Sequence, residues 1–240
     1  MPSRALLDAG VARYSWSMQG KIVVITGAFG ALGRAVSELA RQRGATVVRI
    51  GHGGGGAEGD PLELTGVDLS DFAAAQAAIA EAREAAGRID ALMNVAGGFA
   101  WSTVGDSDPE LWARMHKLNT MTAVNASKAA LPYLIESNGA IVNVGAFGAL
   151  NAAAGMGPYA ASKQGVHKLT ESLAEELKGR VRVNAVLPSI IDSEANRRDM
   201  PKADPSKWVR PEELADVMLF LVSDAASAVT GALIPVRGRV

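Results

Sequence analysis

Tyr159 and Lys163 stand four residues apart within the stretch Gly155-Met-Gly-Pro-Tyr-Ala-Ala-Ser-Lys163. Pro158 suits the first turn of a helix. Tyr159, Val166, Leu169, Leu173 and Leu177 then recur at roughly helical spacing, which puts the phenol and the ammonium one turn apart on one face. A cation beside a phenol favours the phenolate, lowers its pKa and makes the group a proton donor and acceptor near neutral pH. The same residues also suit a tyrosine packed on a helix with an unrelated surface lysine. The segments that position the pair decide between these readings.

Lys21 to Thr26 is a β-branched run of the kind found in buried parallel strands, and Gly27-Ala-Phe-Gly30-Ala-Leu-Gly33 follows at once. Arg34 to Arg43 then reads as an amphipathic helix ending at Gly44. Strand, glycine turn and helix in this order make the context a dinucleotide site needs, with Gly27 for the tight turn, Gly30 for approach of a pyrophosphate and Gly33 for close helix packing, although helix caps and turns also use glycine. The second strand, Ala45 to Ile50, ends in Gly51-His52 and a glycine run, where an acidic residue would hold a free ribose hydroxyl. With no carboxylate there to repel a 2′-phosphate, and Arg49 or His52 close by, NADP(H) is favoured over NAD(H).

Leu62 to Val67 reads as a third strand, and Asp68-Leu69-Ser70-Asp71 opens an alanine-rich helix to about Ala86. Asp68 or Ser70 either caps that helix or, for Asp68, meets an adenine amino group. Ile89 to Val95 is the fourth strand, and Asn94-Val-Ala96-Gly97-Gly98 places small residues at its carboxyl end, where open α/β sheets bind ligands. A long helix from Pro109 to about Ile135 carries Asn119 in its middle, a poor place for asparagine unless its side chain is used. Ala140 to Val144, Val181 to Leu187 and Ala232 to Val236 complete the strands, and a helix runs from Pro211 to about Ser223. The segment 188–210, with Met200 and Trp208, is long enough to be a substrate loop. Alternating strands and helices over 18–240 give one α/β domain, a doubly wound parallel sheet with helices on both faces.

Composition narrows the function classes. The chain has 240 residues, 48% hydrophobic and 20% charged, a net charge of −1 and no cysteine. Disulfides, thiolate catalysis and sulfur-ligated metals are excluded, and no metal site is expected. No basic block suggests nucleic acid, and no apolar run suggests a membrane span. Residues 1–17 read as an extension without an apolar signal core, so a cytoplasmic protein acting on a small molecule is expected.

With the glycine turn, Asn119, Tyr159 and Lys163 placed, the chain resembles the short-chain dehydrogenase/reductase family over roughly 18–240. Thr26-Gly27-x-x-Gly30-x-x-Gly33 is similar to the family's cofactor turn, with Ala31 where glycine is commoner. Asp68-Leu69 matches its adenine contact, and Asn94-Val-Ala96-Gly97 resembles its N-N-A-G motif. Pro188-Ser-Ile190-Ile191-Asp-Ser193 resembles its P-G-x-x-x-T segment over the nicotinamide. The resemblance implies a Rossmann-like fold, Tyr159 as proton donor, Lys163 as ribose ligand and pKa depressor, and Asn119 as holder of a water leading to Lys163. It also implies cofactor contacts from Phe29, Leu32 and His52, and a homodimer or homotetramer built on the two long helices. The family's serine, thirteen residues before the tyrosine, is here Ala146.

The dihydropteridine reductases share that alanine, and further stretches resemble them. These are Val95 to Gly98 before an aromatic, Gly155-Met156, Gly165-Val-His167, Val186-Leu-Pro188, Asn196-Arg-Arg198 and Met200-Pro201. That likeness implies a quinonoid dihydropterin acceptor between Phe99, Trp101, Met156 and Trp208. The chain departs from the subgroup in keeping Asn119 and in lacking an acidic residue after the second strand. An ordinary alcohol/ketone dehydrogenase with another donor replacing the serine, for example Ser189, and a cofactor-binding regulator are the alternatives.

Overall fold

The β-branched runs form strands in a computed structural model of the chain, which describes residues 17–53 and 62–240. The expected extension (apart from Ser17) and Gly54 to Gly56 lie outside the described residues. Ile22–Thr26 (β1), Thr46–Ile50 (β2), Glu63–Leu64 (β3), Ala91–Asn94 (β4), Ala140–Val144 (β5), Arg182–Pro188 (β6) and Leu233–Val236 (β7) make one seven-stranded sheet. Its order is β3-β2-β1-β4-β5-β6-β7, and every neighbouring pair is parallel. Because β1 pairs with β2 on one side and β4 on the other, the strand order reverses there and a crevice opens at their carboxyl ends.

Among the described residues, seven α-helices accompany the sheet: Ala31–Gln42 (α1), Phe72–Ala86 (α2), Pro109–Met115 (α3), Thr122–Ser137 (α4), Gly157–Glu176 (α5), Glu194–Asp199 (α6) and Pro211–Val222 (α7). Successive strand residues point to opposite faces and so feed two separate cores. Val23, Ile25 and Met93 pack with Leu32, Val36, Leu214 and Met218 of α1 and α7. Val24, Leu92 and Ile141 pack with Ile79, Ala126, Ala130 and Leu173 of α2, α4 and α5. Each fully buried Ile or Leu here contributes roughly 2 kcal/mol. No helix among the described residues is long and apolar enough to cross a membrane.

Three expectations are corrected. The third strand is only Glu63–Leu64: Gly66, with a positive φ of 73°, interrupts the ladder before Val67 N–H donates to Gly51 O. The α2 cap is Asp71, whose carboxylate accepts from the Ala74 N–H at 2.8 Å, rather than Asp68 or Ser70. The helix expected over 109–135 is interrupted by a π turn, His116–Met121. The segment 188–210 is ordered, with α6 inside it and a parallel bridge between Ile191 and Val209 folding it back on itself.

Candidate active site

The β1–α1 turn is shaped by what a side chain would strike. Gly27 has φ 61°, and a Cβ there would stand 2.7 Å from the Ala96 backbone. At Gly33 one would collide with the Gly27 carbonyl oxygen. Gly30 is different: its φ of −78° suits any residue, and its Cβ would meet only the Gly27 oxygen, at 3.5 Å. It leaves space in front of α1, whose N-terminus has neither a side-chain cap nor an acidic residue in its first turn. Those free N–H groups and the positive helix end fit a pyrophosphate. Ala31 is exposed at that end, while Leu32 is buried beneath it.

Gly51, His52, Asp68, Leu69, Ala96 and Gly97 line a cleft of about 340 Å³ with Gly27, Leu118 and Thr122. A dinucleotide's adenosine half would fit there. The structure explains the missing acidic residue: a Cβ at Gly51 would stand 2.5 Å from the ring of Phe29, which is buried under the turn. Arg49 stacks 4.5 Å above that ring and pairs with Glu63 at 2.6 Å. Its charge is therefore answered inside the protein, which removes one of the two groups on which the NADP(H) preference leaned. Asp68 accepts from the Ser70 N–H at 2.9 Å, and the Ser70 hydroxyl and N–H hold its pKa below the usual carboxylate range.

Lys163 and Asn119 meet beside Gly97, and Tyr159 stands one turn before Lys163 on α5 with its ring against Phe99. A Cβ on Gly97 would lie 2.5 Å from Asn119 Oδ1 and 3.3 Å from Lys163 Nζ. The extra residue of the π turn swings Asn119 inward, a distortion that recurs at functional sites. There its amide donates to Gly98 O and Ser162 Oγ, both at 3.0 Å, and its oxygen accepts from Gly98 N–H at 2.9 Å. Lys163 is buried and donates to Val144 O at 2.8 Å. Burial lowers its pKa to about 8 and pushes Tyr159 up to about 12. The structure does not show the expected depression of the tyrosine: the ammonium is turned to the Val144 carbonyl, and desolvation of the phenol dominates.

Phe99 meets Tyr159 edge-on with ring centroids 4.9 Å apart, and Met156 packs with Tyr159, Ala146, Ala149 and Ala160. These give the mouth apolar walls. Trp101 is exposed beside them, its indole N–H donating to Ala154 O. Trp208 does not join them; it is 2% exposed, drawn inward by the neighbouring Ile191–Val209 bridge. Pro188, Ile190 and Ile191 run off the carboxyl end of β6, and Ser193 caps α6 by accepting from Asn196 N–H. Ser189 donates to Arg237 O, which occupies the hydroxyl suggested as a substitute for the missing serine. Asn94 is buried in a polar chain with Ser127 and Asn143.

Several residues that the sequence motifs contain, but to which no separate role was assigned, complete the site. Thr26 Oγ1 accepts from both Val95 and Ala96 N–H, setting the strand end that flanks Gly27. Ser162 anchors Asn119; its place three residues after Tyr159 was the available signal. His167, one turn beyond Lys163, is fully buried, and its Nε2 accepts from the Ala146 N–H at 3.3 Å, which places its proton on Nδ1.

Comparison with known proteins bears on this arrangement. A family model described as enoyl-(acyl carrier protein) reductase matches residues 27–238. The chain is 32% identical to 2-(S)-hydroxypropyl-CoM dehydrogenase 3 of Xanthobacter autotrophicus, over 92% of this chain and 96% of that one. It is 33% identical to a 3-oxoacyl-(acyl-carrier-protein) reductase of Thermotoga maritima, over 92% of this chain and 98% of that one. The structure of 3-ketoacyl-(acyl-carrier-protein) reductase from Brucella melitensis complexed with NADH superposes with a TM-score of 0.81 at 28% identity, covering 93% and 99% of the two chains. The glycine turn, the bent Asn119 helix and the Tyr159–Lys163 pair therefore sit in an oxidoreductase that belongs to the short-chain dehydrogenase/reductase family.

Proposed function

We propose that the protein reduces a ketone reversibly to the alcohol with a nicotinamide cofactor, NADP(H) in preference to NAD(H). The observation that carries this reading is the meeting of Lys163 and Asn119 beside Gly97, which lines the glycine-rich cleft, with Tyr159 one turn before Lys163 on the same helix. Bound nicotinamide would supply or take the hydride. Gly27, Gly30 and the α1 N-terminus would hold its pyrophosphate; Asp68, Leu69 and His52 would flank the adenosine; and Asn94, Ala96, Gly97, Pro188, Ile190, Ile191 and Ser193 would border the nicotinamide end. Tyr159, protonated up to about pH 12, would give its proton to the substrate oxygen, and Lys163 would hold the ribose.

The relatives support a carbonyl substrate: two of them are named as 3-oxoacyl or 3-ketoacyl reductases. A quinonoid dihydropterin draws no support from these relatives. Phe99 and Met156 remain the walls of the substrate pocket in this reading, and Ala146 is the position where a hydroxyl donor is missing. The test is oxidation of NADPH and NADH with 3-oxo esters, diketones and quinonoid dihydropterin, with Tyr159→Phe as control. Tyrosine-dependent turnover of the ketones, faster with NADPH, is expected. Bound cofactor with no tyrosine-dependent turnover of any acceptor would overturn the reading, and turnover of the pterin alone would redirect it.

A further inference from the structure

The segment after β7 carries an arginine whose charge nothing answers among the described residues. The Arg237 guanidinium lies 4.4 Å from the centroid of the Phe147 ring, and its side chain makes no hydrogen bond or ion pair. Its neighbours behave differently. Arg197 pairs with Asp192 at 2.6 Å, and Arg210 and Arg239 pair with Glu213 at 3.1 and 2.7 Å. Asp192, Arg197, Arg210 and Arg239 line a separate hollow of about 590 Å³ that does not include Arg237.

The backbone around Arg237 is held on both sides. Ser189 N–H donates to Val236 O and its hydroxyl to Arg237 O, at 3.1 and 2.8 Å, while Arg239 N–H donates to Lys207 O at 2.8 Å. Phe147 directly follows Ala146, which packs with Tyr159 and Met156. The cation is therefore held beside the loop that follows Ala146 and the segment that leaves β6. A guanidinium stacked by its face keeps its N–H edge free, and that edge matches a carboxylate or phosphate in a two-bond geometry. A pinned backbone also lowers the ordering cost of such a contact.

From this geometry we infer that Arg237 anchors an oxyanion carried by the substrate, at the end remote from the carbonyl that is reduced. This deepens the ketone-reductase reading and rests on it. The substrate class is then an oxo-acid anion or an oxo phosphate ester, rather than a neutral ketone.

Two matched pairs test this: 3-oxobutanoate against its ethyl ester, and dihydroxyacetone phosphate against dihydroxyacetone. KM and kcat are read for the wild type, Arg237→Ala and Arg237→Lys. In the wild type one anion of the two pairs has the lower KM, which names carboxylate or phosphate as the group. In Arg237→Ala the KM ratio of neutral to anionic partner falls about tenfold, with the change in KM rather than kcat, and Arg237→Lys restores part of it. Equal ratios in the wild type and Arg237→Ala would overturn the proposal. So would a change in solution size on Arg237→Ala with the ratio unmoved, which would place Arg237 in a contact between subunits. If no acceptor is turned over, titration of the NADPH-bound protein with butyrate and with inorganic phosphate, followed by cofactor fluorescence, separates the two readings. Binding weakened about tenfold by Arg237→Ala would uphold the anion site and remove the reductase reading; no anion binding, or binding indifferent to the substitution, would remove the anion site.

Discussion

Replacing the Tyr159 phenol by a phenyl ring removes one hydroxyl from the cleft and leaves the Phe99 contact in place. Tyr159→Phe should fold as the wild type does and lose roughly 10²–10⁴ in kcat for reduction, read by NADPH oxidation. Lys163 offers a sharper test because its buried ammonium is held at about 8, far below the usual lysine range. Reductive kcat/KM should be flat below that pH and fall as pH rises through it, since the charge that would hold the ribose is lost first. The stability consequence has the opposite sign. Between about pH 8 and the ordinary lysine value the unfolded chain binds the proton that the native chain has released, so stability rises with pH across that window. Below it the buried charge costs on the order of 3 kcal/mol. Lys163→Met should therefore be inactive yet unfold at higher denaturant than the wild type at pH 7, with the gap closing by pH 10.

At the scale of elements, the β1–α1 turn separates two uses of glycine. Gly33→Ala would drive a methyl into the Gly27 carbonyl and should destabilise the whole domain. Gly30→Ala has room and an ordinary backbone conformation. It should fold with an unchanged melting temperature and lose about tenfold or more in cofactor affinity, measured by fluorescence titration, because only the approaching phosphate needs that space. The π turn makes a parallel case. Asn119→Ala leaves the Gly98 N–H and carbonyl without their partner and should cost about 1–3 kcal/mol in urea unfolding together with activity. Ser162→Ala, which removes one of three bonds to Asn119, should be milder on both counts. The turn itself could not be read from sequence, because a single extra residue in a helix leaves the apolar spacing on either side nearly unchanged.

For the whole molecule, a ligand that binds only the folded state raises its stability by mass action. NADPH at 100 times its Kd should add about 2.7 kcal/mol and lift the melting temperature by roughly 5–10 °C. NADH at the same concentration should lift it less if the NADP(H) preference holds. The expected homodimer or homotetramer is checked by light scattering. The alanines of the two long helices do not argue for it by themselves, since Ala126 and Ala130 are already buried in this chain's own core. Of the seven large apolar side chains left exposed among the described residues, four, Phe99, Trp101, Val104 and Trp112, lie near the mouth.

The strand–glycine–helix order, the parallel sheet and the Tyr159–Lys163 pair were legible in the sequence because each rests on local spacing: a β-branched run, glycines three apart, a helical turn of four. Ala146 in place of a serine was equally plain. What surrounds those residues was not legible, since it depends on contacts between segments far apart in the chain. Phe29 filling the space at Gly51, Glu63 neutralising Arg49, the inward turn of Trp208 and the Val144 carbonyl that holds Lys163 are all of this kind. Local spacing placed the chemistry on the chain; burial and long-range pairing set its charges, because desolvation and partner distance exist only once the chain has folded.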